Sequence, residues 1–272
     1  MEQPTIYLDN NATTAVHEDV LAAMNEAASL YGNASSMHAM GREAAVAIEE
    51  SRQAVRDLID AQDGAIVFTS GASEANNTVF NLFRERIDLG AKRKRIITTT
   101  IEHPSIIETV THLKEIGYAV DLCPVDNTGR VVLSQMEALL GDDVALVSVM
   151  LGNNEIGTIQ PVKEIAALAH RHGAYVHSDA TQAIGKIEVS MKELDVDYLS
   201  LSAHKFYGPK GIGVLALRKG VPFSPFVHGG HQEDGRRAGT YNNTAIIGLG
   251  TAARIAQREL PDENKRLWAL RE

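Results

Sequence analysis

Residues 199–217 read LSLSAHKFYGPKGIGVLAL: two apolar runs flank a polar turn in which Lys205 stands beside Ser202 and His204 and is followed by Gly-Pro-Lys-Gly. The runs have the character of buried strands, and the Gly and Pro residues mark a turn between them. A lysine held at such a junction can be desolvated, which lowers its pKa and yields a usable amine. A loop lysine in water is the competing reading, and the neighbouring strand ends decide between them.

Working outward, further apolar runs lie at 65–69, 95–99, 119–124, 144–151 and 175–178, with 198–202 and 213–217 framing Lys205. Amphipathic stretches at 73–89, 105–116, 134–140, 162–172 and 191–194 fall between them. Strands without clean polar alternation, separated by helices, predict an α/β fold: a three-layer α/β/α domain around a mostly parallel mixed sheet. Helices over 20–30 and 42–59 precede this unit. The tail reads as helix over 245–257 and 259–272, with Pro261 marking a break or a second helix start. The final LWALRE stops in mid-pattern, without a cap or stop signal, and reads as cut.

Charge narrows the function classes. With 26 Lys and Arg against 35 Asp and Glu the net charge is −9, which disfavours a broad nucleic-acid or anionic-membrane surface. The basic cluster 92–95 fits a solvated helix end. No apolar run reaches membrane-spanning length and MEQPTIYLDNNATT has no signal-peptide pattern, so a cytoplasmic chain is expected. The single cysteine, Cys123, forbids an intrachain disulfide or a multi-Cys metal site. Its place inside the apolar AVDLCPVDNTG, just before Pro124, marks it as a small buried hydrophobe. The histidines show no HExxH spacing, and no metal is expected.

In a parallel α/β sheet the ligand sits beyond the carboxyl ends of the strands. Several polar groups fall there. SGASEANN (70–77) opens a helix with Ser70, Gly71 and Ser73, which suits a phosphate because free N–H groups and the dipole both favour an anion; an ordinary N-cap with Glu74 accounts for it equally well. Neither a P-loop nor a G-x-G-x-x-G pattern is present. IEHPSI (101–106) puts His103 at a strand-to-helix turn, where a lone histidine is often structural. GNNEIGTIQP (152–161) carries Asn153 and Asn154, residues that also serve turns. Asp179, in AYVHSDATQAIGK, is either a helix cap or a buried carboxylate kept ionised by a cation. Each group alone favours the plain explanation. Pyridoxal phosphate needs them jointly: a lysine for its aldehyde, a carboxylate for its pyridinium nitrogen and a phosphate cradle.

The motifs YLDNNATT (7–14), YGNASSMHAMG (31–41), FTSGASEANN (68–77), EHPSI (102–106), NNEIGTIQP (153–161), HSDATQAIGK (177–186), SLSAHKFYGPKG (200–211) and GGHQEDGRRAGT (229–240) resemble, in order, those of the NifS/IscS cysteine desulfurases, within the class V aminotransferase group of fold-type I pyridoxal phosphate enzymes. The resemblance implies that Lys205 bonds the cofactor, Asp179 pairs with the pyridine nitrogen, and Gln182 and Asn154 contact the ring hydroxyl. His103 would stack on the ring and assist proton transfer. Ser73, Ser202 and His204 would hold the phosphate, and Thr240 would reach the phosphate of a partner subunit in a homodimer with shared active sites. It further implies L-cysteine as substrate, L-alanine as product, and an iron–sulfur scaffold or another acceptor protein for the sulfur, with no nucleic acid or membrane partner.

The implied layout is an N-terminal arm over 1–15, a cofactor-binding large domain over 16–257 and the start of a smaller domain over 258–272. The family's nucleophilic cysteine and substrate-binding arginine lie beyond this length, so the 272 residues are expected to be an incomplete desulfurase. Ser73 stands where the family commonly has threonine, Ala34 where it has proline and Tyr241 where it often has glutamate. A selenocysteine lyase, another class V enzyme or a non-catalytic binding protein on the same fold are the alternative functions.

Overall fold

The computed structural model describes residues 6–271; residues 1–5 of the expected arm and residue 272 at the end of the expected second domain lie outside the described residues. Two helices, α1 (Glu18–Ala27) and α2 (Ala39–Leu58), lead into β1 (Ala65–Thr69), α3 (Ala72–Asp88), β2 (Arg95–Thr99), α4 (Pro104–Glu115), β3 (Ala119–Cys123) and α5 (Leu133–Leu139). The chain continues through β4 (Val144–Ser148), α6 (Val162–Arg171), β5 (Tyr175–Asp179), α7 (Met191–Leu194), β6 (Tyr198–Ser202), β7 (Gly213–Leu217) and α8 (Asn243–Arg271). The strands form one sheet in the order β1-β7-β6-β5-β4-β2-β3. Only β7 runs antiparallel to its neighbours, which is the mixed, mostly parallel sheet expected.

Strand alternation sorts side chains between two cores. In β1, Ile66 and Phe68 join the core under α2, α5, α6 and α8, while Val67 joins Phe80 and Phe83 of α3 and Ile106 and Val110 of α4 on the other face. In β7, Val214 and Ala216 face the first core, Leu215 and Leu217 the second. Every residue of β4, β6 and β7 is buried, so these strands carry no polar alternation. The result is helix, sheet, helix: three layers.

Two expectations change. The apolar run 144–151 pairs as a strand only to Ser148, although Val149 and Leu151 still donate to β5 carbonyls. On the β2 side the Met150 N–H donates instead to the Glu102 carboxylate, at 2.9 and 3.1 Å, so a side chain replaces the ladder. The tail is one continuous helix, α8, with Pro261 inside it. Pro261 lies on the exposed side, where water can satisfy the carbonyl one turn earlier that loses its donor. Among the described residues no helix is long and apolar enough to cross a membrane.

An ionic cluster ties α6 to the β5–β6 edge. His170 bonds Asp195 through Nδ1 (3.1 Å) and Asp197 through Nε2 (3.0 Å), and Arg218 bridges the same two acids. An imidazole with carboxylates on both nitrogens carries both protons. Asp197 chiefly, with Asp195, raises the His170 pKa against the opposing effect of burial. A raised folded-state pKa adds stability that is fully present below the unfolded value of about 6.5 and is lost as pH rises through the folded value. His170→Gln is therefore expected to lower unfolding free energy by about 1 kcal/mol or less at pH 6, since Asp195 is half exposed and screened, and by nearly nothing at pH 9. Urea titrations of both proteins at the two pH values measure this.

Candidate active site

The carboxyl ends of β1, β2, β4, β5 and β6 open on one cavity of about 530 Å³. Ser73, His103, Asn154, Asp179, Gln182, Ser202, His204 and Lys205 all line it, brought from five strand ends. Thr240 does not. It lies in a separate hollow of about 150 Å³ with Phe68, Ser70, Gly211 and Arg237.

Lys205 sits in a 3₁₀ turn, Ala203–Lys205, at the end of β6. Its Nζ donates to the carbonyls of Asn11 (2.5 Å) and Ala12 (2.9 Å), so the N-terminal arm crosses directly over it. Burial pushes the Lys205 ammonium below its usual range, with Asp179 and Asp9 opposing. Thr14 pins the arm, its N–H and hydroxyl both donating to the His204 carbonyl while its oxygen accepts from the Tyr207 N–H. Lys205 is therefore held by backbone carbonyls inside a cleft, not in a water-exposed loop.

Asp179 ends β5 and is only 4% exposed. Its Oδ1 accepts from the Thr181 N–H (2.9 Å) and its Oδ2 from Asn76 Nδ2 (2.8 Å), so both oxygens are engaged as a carboxylate requires. Below it in the sheet His177 is fully buried between Ser148 and Ser200, and burial drops its pKa to about 4. Burial also lifts Glu102 to about 8, against its bonds from Thr99 and Met150. Burial thus favours the neutral form of both side chains.

The anion cradle forms where β1 turns into α3. Gly71 takes the N-cap with φ 152°, a conformation effectively reserved for glycine, and offers no side-chain cap. A Cβ there would point toward Ser202 Oγ, 3.8 Å away, into the cradle itself. Glu74 accepts from the Ser70 N–H (2.7 Å) and pairs with Arg237, which together hold its pKa down against burial. Glu74 thus braces the turn ahead of α3, no side chain caps the helix, and Ser73 lines the cavity. Lys210 adds a second cation at the rim, and burial with Lys205 and Lys210 depresses the His204 pKa. Thr181 Oγ1 is buried at the cavity without a partner. That orphan hydroxyl, the glycine-shaped gap and the two cations fit a small, anionic, hydrogen-bonding group.

Sequence reasoning passed over Lys210, Thr181, Lys186 and Asn76. Lys210 was hidden in a Gly-Pro-Lys-Gly turn, and Thr181 and Lys186 flank Gln182 within a quoted motif. Lys186 Nζ donates to Gln182 Oε1 (2.5 Å) while Gln182 Nε2 donates to the Asn11 carbonyl (2.9 Å). Burial, reinforced by Lys205, takes the Lys186 pKa down to about 8.

A three-layer sheet with a lysine, a carboxylate and an anion cradle at its strand ends defines an α/β protein of fold-type I. The aminotransferase class-V family matches residues 6–265. The chain is 44% identical over 98% of its length to a cysteine desulfurase NifS from Azotobacter vinelandii, spanning 66% of that protein, and 43% identical to a cysteine desulfurase IscS from Dictyoglomus turgidum, over 98% of this chain and 68% of that one. A solved NifS-like protein superposes with a TM-score of 0.93 at 42% identity, covering 98% of this chain and 73% of that one. The chain belongs to the class-V aminotransferase family, in its cysteine desulfurase branch. It spans about two thirds of the length of the curated relatives it matches.

Proposed function

We propose that this chain is the cofactor-binding part of a cysteine desulfurase that uses pyridoxal 5′-phosphate to convert L-cysteine to L-alanine and pass the sulfur on. The carrying observation is that Lys205 and Asp179 share one cleft with the cradle of Ser73, Ser202 and His204. When bound, pyridoxal phosphate supplies an aldehyde for amines and a ring that accepts electrons from the substrate's α-carbon. Lys205 is the residue that would hold that aldehyde, and its Nζ, pushed below the usual lysine range by burial, would be the base for the Cα proton. Asp179, an acceptor on both oxygens, would pair with the pyridine nitrogen. His103 would cover the ring, and Asn154 and Gln182 would donate toward its hydroxyl. The cradle N–H groups at α3, with Ser73, Ser202 and His204, hold the phosphate.

The same reading covers what lies around the cleft. Thr240, outside the Lys205 cavity, serves the phosphate of a second subunit in a homodimer. The arm, assigned to 1–15, brings Asn11 and Ala12 over Lys205, 16–257 form the large domain, and 258–272 begin a smaller one. Sulfur leaves the substrate as a persulfide on a cysteine outside these residues and goes to an iron–sulfur scaffold or another acceptor protein.

Cys123 is not that nucleophile. It is fully buried in the edge strand β3, and burial raises its thiol to about 11. Iodoacetamide at neutral pH is expected to leave Cys123 unlabelled in the native chain and to label it fully on unfolding, read by mass spectrometry. Rapid native labelling would reopen its role.

Addition of pyridoxal phosphate to the purified chain tests the main reading. A visible absorption band that L-cysteine then perturbs is the expected result. A colourless wild type after prolonged reconstitution would favour a non-catalytic binding protein on this fold.

A further inference from the structure

Asn76 is fully buried on the first turns of α3, and the proposed chemistry gives it no part. Its Nδ2 donates to Asp179 Oδ2 at 2.8 Å and to Ser105 Oγ at 2.9 Å, so both amide protons are used. Ser105 in turn meets His103 twice. Its backbone N–H lies 3.1 Å from His103 Nδ1, and its hydroxyl lies 2.9 Å from the same nitrogen. A backbone N–H can only donate, so Nδ1 is an acceptor and the imidazole proton of neutral His103 resides on Nε2. With Asn76 donating into Ser105 Oγ, the Ser105 proton is left to point at Nδ1. The bonds therefore run in one direction, from a single amide: one branch ends on Asp179, the other on His103.

Asn76 Oδ1, by contrast, is buried without a partner. Both donors are thus given to Asp179, which lines the cavity, and to Ser105, which bonds the cavity-lining His103. The amide orientation is also unambiguous, because a flipped Asn76 would set its oxygen against the Asp179 carboxylate.

We propose that Asn76 and Ser105 are positioning residues that act together. They hold the Asp179 side chain in place and seat the His103 ring through a second bond to its Nδ1, beside the Ser105 N–H that makes that nitrogen an acceptor, coupling two groups that would contact the bound ring. This rests on the pyridoxal phosphate reading for its consequence, although not for its geometry.

Two measurements test it. Nitrogen-15 NMR of histidine-labelled chain without cofactor is expected to show His103 as the Nε2–H tautomer in wild type and, because the Ser105 N–H still donates to Nδ1, in Asn76→Ala and Ser105→Ala as well, but with the Nδ1 resonance displaced in both variants by the altered hydroxyl bond and kept near the wild-type position in Ser105→Thr. In cofactor titrations followed by visible absorption, Asn76→Ala is expected to weaken pyridoxal phosphate binding by about 10-fold, the scale on which outer partners of a bound group act. In an Asp179→Asn background the same substitution is expected to add little, because the two share one interaction. An Nδ1–H tautomer in wild type would overturn the proposal. So would an unchanged Nδ1 resonance and unchanged affinity in Asn76→Ala, or strictly additive losses in the double variant. If the NMR results hold but wild type binds no pyridoxal phosphate, the network stands and the cofactor reading falls.

Discussion

Lys205→Ala, mixed with pyridoxal phosphate, is expected to develop no visible band and to lose at least ~10³-fold of any cysteine turnover the chain supports with a supplied nucleophile. The size follows from two losses at once: the amine that holds the aldehyde and the base that takes the Cα proton. Ser73, Ser202, His204 and Lys210 stay in the cavity, so the variant should still bind inorganic phosphate, more weakly than wild type because one of two cations is gone. Lys186 is the natural rival, a second amine in the same region with its pKa at about 8. Lys186→Ala should keep the band, because its Nζ is already given to Gln182. Survival of the band in Lys205→Ala, with its loss in Lys186→Ala, would transfer the covalent role to Lys186 and refute the assignment made here.

The second large effect lies away from the cleft. Arg52 of α2 meets Glu233 through two bonds, of 2.7 and 3.1 Å, and Glu233 is only 5% exposed. Glu233 also accepts from the Phe68 N–H at 3.1 Å, and Arg52 stacks over the Phe68 ring. Arg52→Met leaves the Glu233 side chain buried without its partner and is expected to cost about 3–5 kcal/mol and to lower Tm by roughly 10 °C, whereas Glu233→Gln, which leaves Arg52 bonded to the exposed Glu49 at 2.9 Å, should cost less. The paired change Arg52→Met with Glu233→Leu should recover part of this, short of the whole because Phe68 N–H loses its acceptor. Calorimetry of the three variants decides the point; single variants within about 1 kcal/mol of wild type would show that water reaches the pair.

That ion pair also explains a residue the sequence left without a role. Glu233 and Asp234 adopt left-handed backbone, with φ of 50° and 54°, at about 1–2 kcal/mol each for non-glycine residues. The Tyr241 hydroxyl accepts from the Glu233 N–H at 2.8 Å, and Arg237 reaches Glu74 at the start of α3. Tyr241, where relatives were expected to have glutamate, is thus a brace for the turn that carries Thr240.

Much of the fold was legible because the signals are local. Apolar runs of about five residues bounded by Gly, Pro and small polar residues mark strands whatever surrounds them, and four of the seven strands begin and end where periodicity put them. The end of β4 was not legible, since Glu102 intercepts the Met150 N–H from a loop 48 residues earlier. Nor was the continuity of α8: a proline stops a helix only if the bond it removes cannot be replaced, and the exposed side of Pro261 is a property of packing.

The sequence by itself determined the alternation of strand and helix and the residue types waiting at each strand end, for these depend on neighbours within a few positions. Only the tertiary structure decided that five of those ends converge, that the arm carbonyls of Asn11 and Ala12 take the Lys205 ammonium, and that Asn76 joins Asp179 to Ser105 across 103 and 29 positions of chain. Hydrogen bonds are satisfied by distance in space, and a linear pattern holds no record of which buried donor will find which acceptor once the sheet has closed.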